Sequence, residues 1–145
     1  MHAKRIEELK KAFLAEPIAN ISVPFSFELL ELAHGYAEVK MKVTEGMLVG
    51  GGVGVVNGGI MDTLANTAGV YAAMSRIPAG HTLRMNYSAR NLRETRAGEI
   101  LLATAEVVEE NKTSFVVDFQ VTNLDAPEDV KAAGQAQYHK PRPKE

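Results

Sequence analysis

Residues 50–74 read GGGVGVVNGGIMDTLANTAGVYAAM, and this stretch decides the fold. Its first part is a glycine-dense loop, and its second part, 60–74, is apolar on nearly every side and rich in Ala and Gly. Asn57 is a good N-cap, because its side-chain oxygen can accept hydrogen bonds from the amides of a first helical turn. The pattern therefore predicts one long buried helix whose small residues allow neighbouring elements to approach closely.

The Asp62 carboxylate and the Asn66 amide interrupt the apolar helix. They are four residues apart, so they share one helix face. The backbone amides of Gly58, Gly59 and Ile60 would lie at the positive end of the helix dipole, where they can polarise a carbonyl oxygen. We expect the functional site at this helix start. The alternative is a glycine-rich loop that serves only to turn the chain into the helix.

Composition bounds the class of protein. At 145 residues the chain is predicted to form a single domain, 1–145. Sixteen Lys and Arg against eighteen Asp and Glu give a net charge of −2, which argues against a nucleic-acid partner. The lack of cysteine excludes disulfides, thiolate metal sites and thiol catalysis. The charged first residues and the polar residues in the longest apolar run predict a cytoplasmic protein with no membrane partner.

Shorter elements flank the central helix. Residues 3–15 place Ile6, Leu9 and Phe13 on one face, which predicts a short N-terminal helix before a core of about 22–140. The predicted strands are 25–33, 36–44, about 81–90, 99–110, 113–123 and 130–139. The turns between them, including 125–128, are short, which predicts an antiparallel meander after the central helix. The expected fold class is α+β, with one antiparallel sheet wrapped around a long central helix.

Other common site types find no support. No Lys-Ser or Lys-Thr pair follows the glycines, so the loop is not a phosphate-binding P-loop. It also fails the Gly-x-Gly-x-x-Gly spacing, and the meander lacks the parallel frame of a dinucleotide site. The four histidines, His2, His34, His81 and His139, show no metal-ligand spacing, so no metal site is predicted.

Six residues match, in type or in spacing, the signature His-Gly-Gly-x-x-x-x-Leu-x-Asp-x-Ala: Asn57, Gly58, Gly59, Leu64, Asn66 and Ala68. On these residues the chain resembles the hotdog-fold thioesterases of the PaaI-like and 4-hydroxybenzoyl-CoA thioesterase group. Three later segments, 81–87, 96–99 and 131–136, also look like strands or turns of that family. The resemblance covers about residues 35–140 and agrees with the predicted architecture.

The resemblance implies hydrolysis of an acyl-CoA thioester in a cleft between the subunits of a homo-oligomer, a dimer or a dimer of dimers. Coenzyme A would enter only as part of the substrate, with no other cofactor. In the family, the second glycine's amide polarises the thioester carbonyl, a role that falls on Gly59 here. The catalytic carboxylate position falls on Asn66. Thr82 takes the place of a Ser or Thr that helps to position water from the partner subunit.

Two departures from the family pattern concern the chemistry. The family's histidine is Asn57 here, and its Asp or Glu is Asn66. A primary amide takes no proton near neutral pH and does not attack as a carboxylate would. Asp62 is the nearest carboxylate, one turn earlier on the same face, where the helix dipole would stabilise it as an anion. The alternative function is a non-catalytic protein that binds an acyl thioester or another small ligand.

The remaining candidates have ordinary structural interpretations beside the functional ones. Asp62 can simply complement the helix dipole or pair with an arginine. Asn66 can be a satisfied amide at a subunit interface. His81 adjoins Thr82 and can reach the same cleft. Arg90 and Arg93 would suit the phosphates of a coenzyme A tail, although surface arginines need no such role.

Overall fold

The computed structural model describes residues 2–15, 27–48 and 58–141. The glycine-dense loop and Asn57 lie outside the described residues, so the predicted helix cap stays a prediction. The described elements, in chain order, are α1 (His2–Ala15), β1 (Glu28–Ala33), β2 (Tyr36–Lys42), a short 3-10 helix (Glu45–Met47), α2 (Gly58–Met74), β3 (Arg84–Asn91), β4 (Ile100–Glu110), β5 (Ser114–Asn123) and β6 (Ala126–His139).

Helix α2 is the predicted long helix, and it is buried against the sheet. It has 17 residues and packs on β2, β4 and β5, with Leu64 and Ala68 inaccessible to solvent. Alternate residues of β2, from Ala37 to Met41, are buried beneath it, which confirms the predicted alternation of that strand. None of the helices in the described ranges has the length and apolarity that crossing a membrane requires.

Helix α1 packs on β1 and contacts the far end of α2. Its buried residues are Leu9 and Phe13, the same apolar face that the sequence predicts. The guanidinium of Arg5 donates to the carbonyl oxygens of Met74, at 3.2 Å, and Gly80, at 2.7 Å. These two hydrogen bonds tie α1 to the last residue of α2 and to the segment that follows it.

The strands form one antiparallel sheet in the order β1-β2-β4-β5-β6-β3. The predicted meander holds for β4, β5 and β6 but is wrong for β3, which pairs with β6 instead of β4. Strand β4 has no edge for β3, because it already pairs with β5 on one side and β2 on the other. Strand β3 therefore takes the open edge of β6 and ends the sheet.

The predicted turn at 125–128 is also wrong in its position. Strand β5 ends at Asn123 and β6 begins at Ala126, so Pro127 belongs to the strand. The Asp125 amide donates to Asn123 Oδ1 at 3.0 Å, which closes a tighter turn.

A buried lysine ties the connection between β3 and β4 to β6. The Lys131 Nζ donates to the Glu94 carbonyl oxygen at 2.8 Å and to Glu99 Oε1 at 3.1 Å, and it pairs with Asp129 at 2.9 Å. The Leu92 amide donates to the Lys131 carbonyl oxygen at 2.8 Å. These contacts hold the end of β3 on β6 and so fix the edge of the sheet beside α2.

Candidate active site

The Asp62 and Asn66 side chains of α2 reach residues of β3 and β6. The Tyr87 hydroxyl, on β3, donates to Asp62 Oδ1 at 2.7 Å. The Tyr138 hydroxyl, on β6, donates to Asn66 Oδ1 at 2.8 Å. Both helix residues are half-buried. The predicted shared face is confirmed, and each of its polar groups is held by a tyrosine at this end of the sheet.

Gly69 creates the space for Tyr138. This tyrosine is 1 % exposed, and a Cβ atom added to Gly69 would lie 3.0 Å from its Cζ atom. A larger residue there would displace the ring and break the bond to Asn66. The side-chain oxygen of Asn66, Oδ1, accepts the hydrogen bond from Tyr138. The side-chain NH₂ group of Asn66 can therefore donate hydrogen bonds to other partners.

The Tyr87 ring contacts an aromatic ring and a guanidinium group. It stacks on Phe119 of β5, with ring centres 5.2 Å apart and planes 11° from parallel. Strand β6 lies between these two strands, and its Gly134 carries no side chain to separate the rings: an added Cβ would lie 2.7 Å from Phe119 Cζ. The Arg84 guanidinium lies 4.5 Å from the centre of the Tyr87 ring.

Both tyrosines stay protonated over a wide pH range. Burial, followed by the hydrogen bond to Asp62, raises the pKa of Tyr87 above the ordinary value for tyrosine. Burial likewise raises the pKa of Tyr138, against a smaller lowering effect of Arg84. Each hydroxyl therefore remains a hydrogen-bond donor toward α2 at neutral pH and well above it.

The raised pKa of Tyr138 predicts a loss of stability in alkaline solution. Below about pH 10, Tyr138 is protonated in both the folded and the unfolded chain, so it does not make the free energy of unfolding depend on pH. Above about pH 10 the unfolded chain releases a proton that the folded chain retains, so the free energy of unfolding falls by about 1.4 kcal/mol per pH unit from this residue.

Urea unfolding of the natural protein and of Tyr138→Phe, between about pH 9 and 11, measures this effect. We expect the phenylalanine variant to be less stable at neutral pH but to lose stability less steeply above about pH 10. If the free energy of unfolding falls equally steeply with pH in the two proteins, the raised pKa of Tyr138 is contradicted.

Helix α2 begins with two glycines. Both Gly58 and Gly59 are exposed, and among the described residues no atom lies within 4 Å of a Cβ added to Gly58. The Thr63 hydroxyl donates to the Gly59 carbonyl oxygen at 2.8 Å, one turn along the helix. A ligand can therefore approach the positive end of the helix dipole closely.

Thr82 and His81 precede β3. The Thr82 hydroxyl donates to the carbonyl oxygen of His139, the neighbour of Tyr138 in β6, at 2.6 Å. Its oxygen can still accept a hydrogen bond. The His81 side chain is exposed. The structure thus places Thr82 beside the strand that carries the Asn66 partner, and its action on the site of a neighbouring subunit stays a prediction.

Arg90 lies in β3, and Arg93 follows that strand. Both are exposed, and Arg93 pairs with Asp129 at 3.5 Å near the start of β6. Arg90 follows Tyr87 by three residues in β3, and Arg93 lies beyond the end of that strand at Asn91. Among the described residues, neither arginine has a hydrogen bond or ion pair with Asp62 or Asn66.

Sequence reasoning missed the residues that organise this site: Tyr87, Tyr138, Phe119, Arg84, Gly69 and Gly134. Tyr87 is 25 residues from Asp62, and Tyr138 is 72 residues from Asn66. Tyr87 falls within the segment 81–87 that resembles the family, but neither its type nor its spacing indicates that its hydroxyl reaches α2.

An antiparallel sheet packed on one long central helix, with a short N-terminal helix, is the hotdog fold. The family model of the thioesterase superfamily matches residues 53–129, more than half of the chain, and the chain belongs to that superfamily. No curated protein sequence gives a significant match.

Solved structures agree with this fold. The chain is similar to the Escherichia coli PaaI protein of the phenylacetic acid degradation operon, with 25% identity, a TM-score of 0.83, and coverage of 98% of this chain and 97% of that one. It is also similar to zebrafish thioesterase superfamily member 2, with 23% identity, a TM-score of 0.80, and coverage of 92% and 96%. A Streptococcus mutans UA159 protein bound to acetyl CoA shares 22% identity, with a TM-score of 0.73 and coverage of 88% and 98%.

Proposed function

We propose that the protein hydrolyses an acyl-CoA thioester and that Asp62 is the working carboxylate. The observation that carries this proposal is the polar face of α2, where Asp62 is half-buried and bonded to Tyr87. Membership of the thioesterase superfamily and the acetyl CoA bound to the Streptococcus mutans protein support the substrate class.

The reaction needs a carboxylate, a water molecule and a donor for the carbonyl oxygen. Asp62 takes a proton from water while the water oxygen attacks the thioester carbon. Negative charge then develops on the former carbonyl oxygen, where the Gly59 amide at the helix N-terminus stabilises it. Collapse of this intermediate breaks the carbon–sulfur bond. The thiolate takes up the proton, which gives one carboxylic acid and one free thiol.

Asn66 and Thr82 would position the water or the substrate. The Asn66 NH₂ group can donate to the attacking water or to the carbonyl oxygen, because Tyr138 holds its Oδ1. Thr82 can accept a hydrogen bond in addition to the one it donates. Asn57 and Gly58, at the helix start, would line the approach of the thioester.

The coenzyme A portion needs a basic surface, which His81, Arg90 and Arg93 would supply from a neighbouring subunit. Arginine forms paired hydrogen bonds to phosphate oxygens, which suits this role. No cofactor beyond the coenzyme A of the substrate is required by this reaction.

A homo-oligomer would complete the cleft. In the part of the chain that the structure describes, β3 has a paired strand on one edge only, and its surroundings include Leu83 and Met85, which are 71% and 53% exposed. An open strand edge with apolar side chains favours association with a second chain.

Light scattering at micromolar concentration is expected to show a dimer or a dimer of dimers. Met85→Lys places a charge on the exposed edge strand and should shift the population toward monomers. Lys40→Met is the comparison variant and should leave the assembly unchanged. Lys40 lies on the face of β2 that points away from α2. A natural protein that is monomeric at this concentration would contradict both the assembly and the shared cleft.

A non-catalytic binding protein is the second candidate, because the family's carboxylate position carries Asn66 and this amide is already bonded to Tyr138. A screen over short-chain, long-chain and aromatic acyl-CoAs, with detection of the released thiol, separates the two functions. The thioesterase proposal predicts turnover of at least one class. Binding of acyl-CoA without thiol release from any class would favour the second candidate.

A further inference from the structure

We propose that Tyr87 is a positioning residue that holds the Asp62 carboxylate in the orientation needed to activate water. This inference rests on the proposed thioester hydrolysis. It concerns a residue that neither the glycine-led motif nor the spacing of the helix identifies.

The contact itself favours such a role. A hydrogen bond from a hydroxyl to an ionised carboxylate is stronger than a bond between neutral groups. The Tyr87 hydroxyl, 2.7 Å from Asp62 Oδ1, engages one of the two carboxylate oxygens, which leaves the other oxygen for water. Without this donor the short Asp62 side chain would be free to rotate away from the productive orientation.

The surroundings of Tyr87 make it a rigid donor. Its ring is stacked on Phe119 across the gap at Gly134, and Arg84 lies over it. A donor held on the sheet keeps its orientation while substrate enters and product leaves, because its ring cannot turn without breaking the stack. Its pKa, raised by burial, also keeps the hydroxyl protonated throughout the neutral pH range.

The chain offers a matched contact outside the site. Tyr36, on the face of β2 that points away from α2, donates to Glu38 Oε2 at 2.6 Å. This is the same pair of chemical groups at nearly the same distance, and Tyr36 is also half-buried. Tyr36→Phe therefore measures what the loss of a tyrosine–carboxylate hydrogen bond does to the protein in general.

The test compares Tyr87→Phe with Tyr36→Phe in steady-state hydrolysis of the acyl-CoA that the natural protein cleaves best. We expect Tyr87→Phe to lower kcat about 10- to 100-fold with KM changed less than twofold, because a bond to a charged group is lost but the ring remains. Tyr36→Phe should keep the kcat of the natural protein. Thermal unfolding followed by circular dichroism checks that both variants are folded.

A double-mutant cycle shows whether Tyr87 acts through Asp62. In the Asp62→Asn background, Tyr87→Phe should cause no further loss of kcat, because the group that it positions is gone. Phe119→Leu, which keeps the hydroxyl but loosens the ring, should lower kcat by less than Tyr87→Phe. It provides a second measurement if Tyr87→Phe does not fold.

The possible failures are distinct. If Asp62→Asn abolishes thiol release while Tyr87→Phe retains the natural kcat, the positioning role is overturned and the proposed function stands. Additive losses in the double variant also overturn it. If the folded natural protein releases no thiol from any acyl-CoA, the proposed function fails and this inference fails with it.

Discussion

Asp62→Asn is expected to lower the rate of thiol release by about 10²- to 10⁴-fold, the usual contribution of a carboxylate that transfers a proton in the transition state. The substitution is nearly isosteric, and an amide oxygen can still accept from Tyr87. Folding and the binding of acyl-CoA should therefore change little. Thiol detection under saturating substrate measures the rate, and calorimetric titration with a non-hydrolysable acyl-CoA analogue measures the binding.

Asn66→Asp is the companion that separates the two candidate functions. It restores the residue of the family pattern, and its carboxylate can accept from Tyr138 as the amide does. If Asp62 is the working carboxylate, this change should be neutral or harmful, because two negative charges then lie one turn apart on the same helix face. A large gain in rate from an inactive natural protein would instead support a binding protein that lost its catalytic group.

One further result would count against the thioesterase proposal altogether. The natural protein, Asp62→Asn and Asn66→Asp could all be folded, bind acyl-CoA and release no thiol. The binding function would then stand in place of hydrolysis. Activity of Asp62→Asn equal to that of the natural protein would remove Asp62 from the mechanism.

Gly134→Ala is expected to destabilise the protein more than any other addition of one methyl group to the sheet. The added Cβ would lie 2.7 Å from Phe119 Cζ and 2.8 Å from the Ala89 Cα atom, and it would also contact the Ser88 carbonyl oxygen. The last two are backbone atoms of β3, which cannot rotate away as a flexible side chain can. The free energy of unfolding should fall by at least the ~1–3 kcal/mol that overpacking typically costs.

The same substitution should also impair the site, because Tyr87 reaches Asp62 from the strand that Gly134 would push outward. Urea unfolding measures the stability, and thiol release from the remaining folded protein measures the activity. Gly46→Ala is the control, since no atom of the described residues lies within 4 Å of an added Cβ there. Equal stability of the two variants would show that β3 can move away from β6 without cost.

Local patterns in the sequence were enough to predict most of the elements of this fold. The apolar run 60–74 predicts α2, and the alternation along 37–43 predicts a strand buried on one face. These predictions succeed because helices repeat every 3.6 residues and strands every two, so each element shows its buried face in its own sequence. The shared face of Asp62 and Asn66 follows from the same geometry, and the motif that begins at Asn57 indicates the hotdog family.

Contacts between distant residues could not be predicted in this way. The sequence does not show that β3 pairs with β6. That pairing follows from the pairing of β2 with β4, which leaves β4 no free edge for β3. It also does not show that Tyr87 and Tyr138 hold the polar face of α2, or that Gly69 and Gly134 make the space for their rings. Strand order and side-chain packing depend on which surfaces meet when the chain closes, and no single segment contains that information.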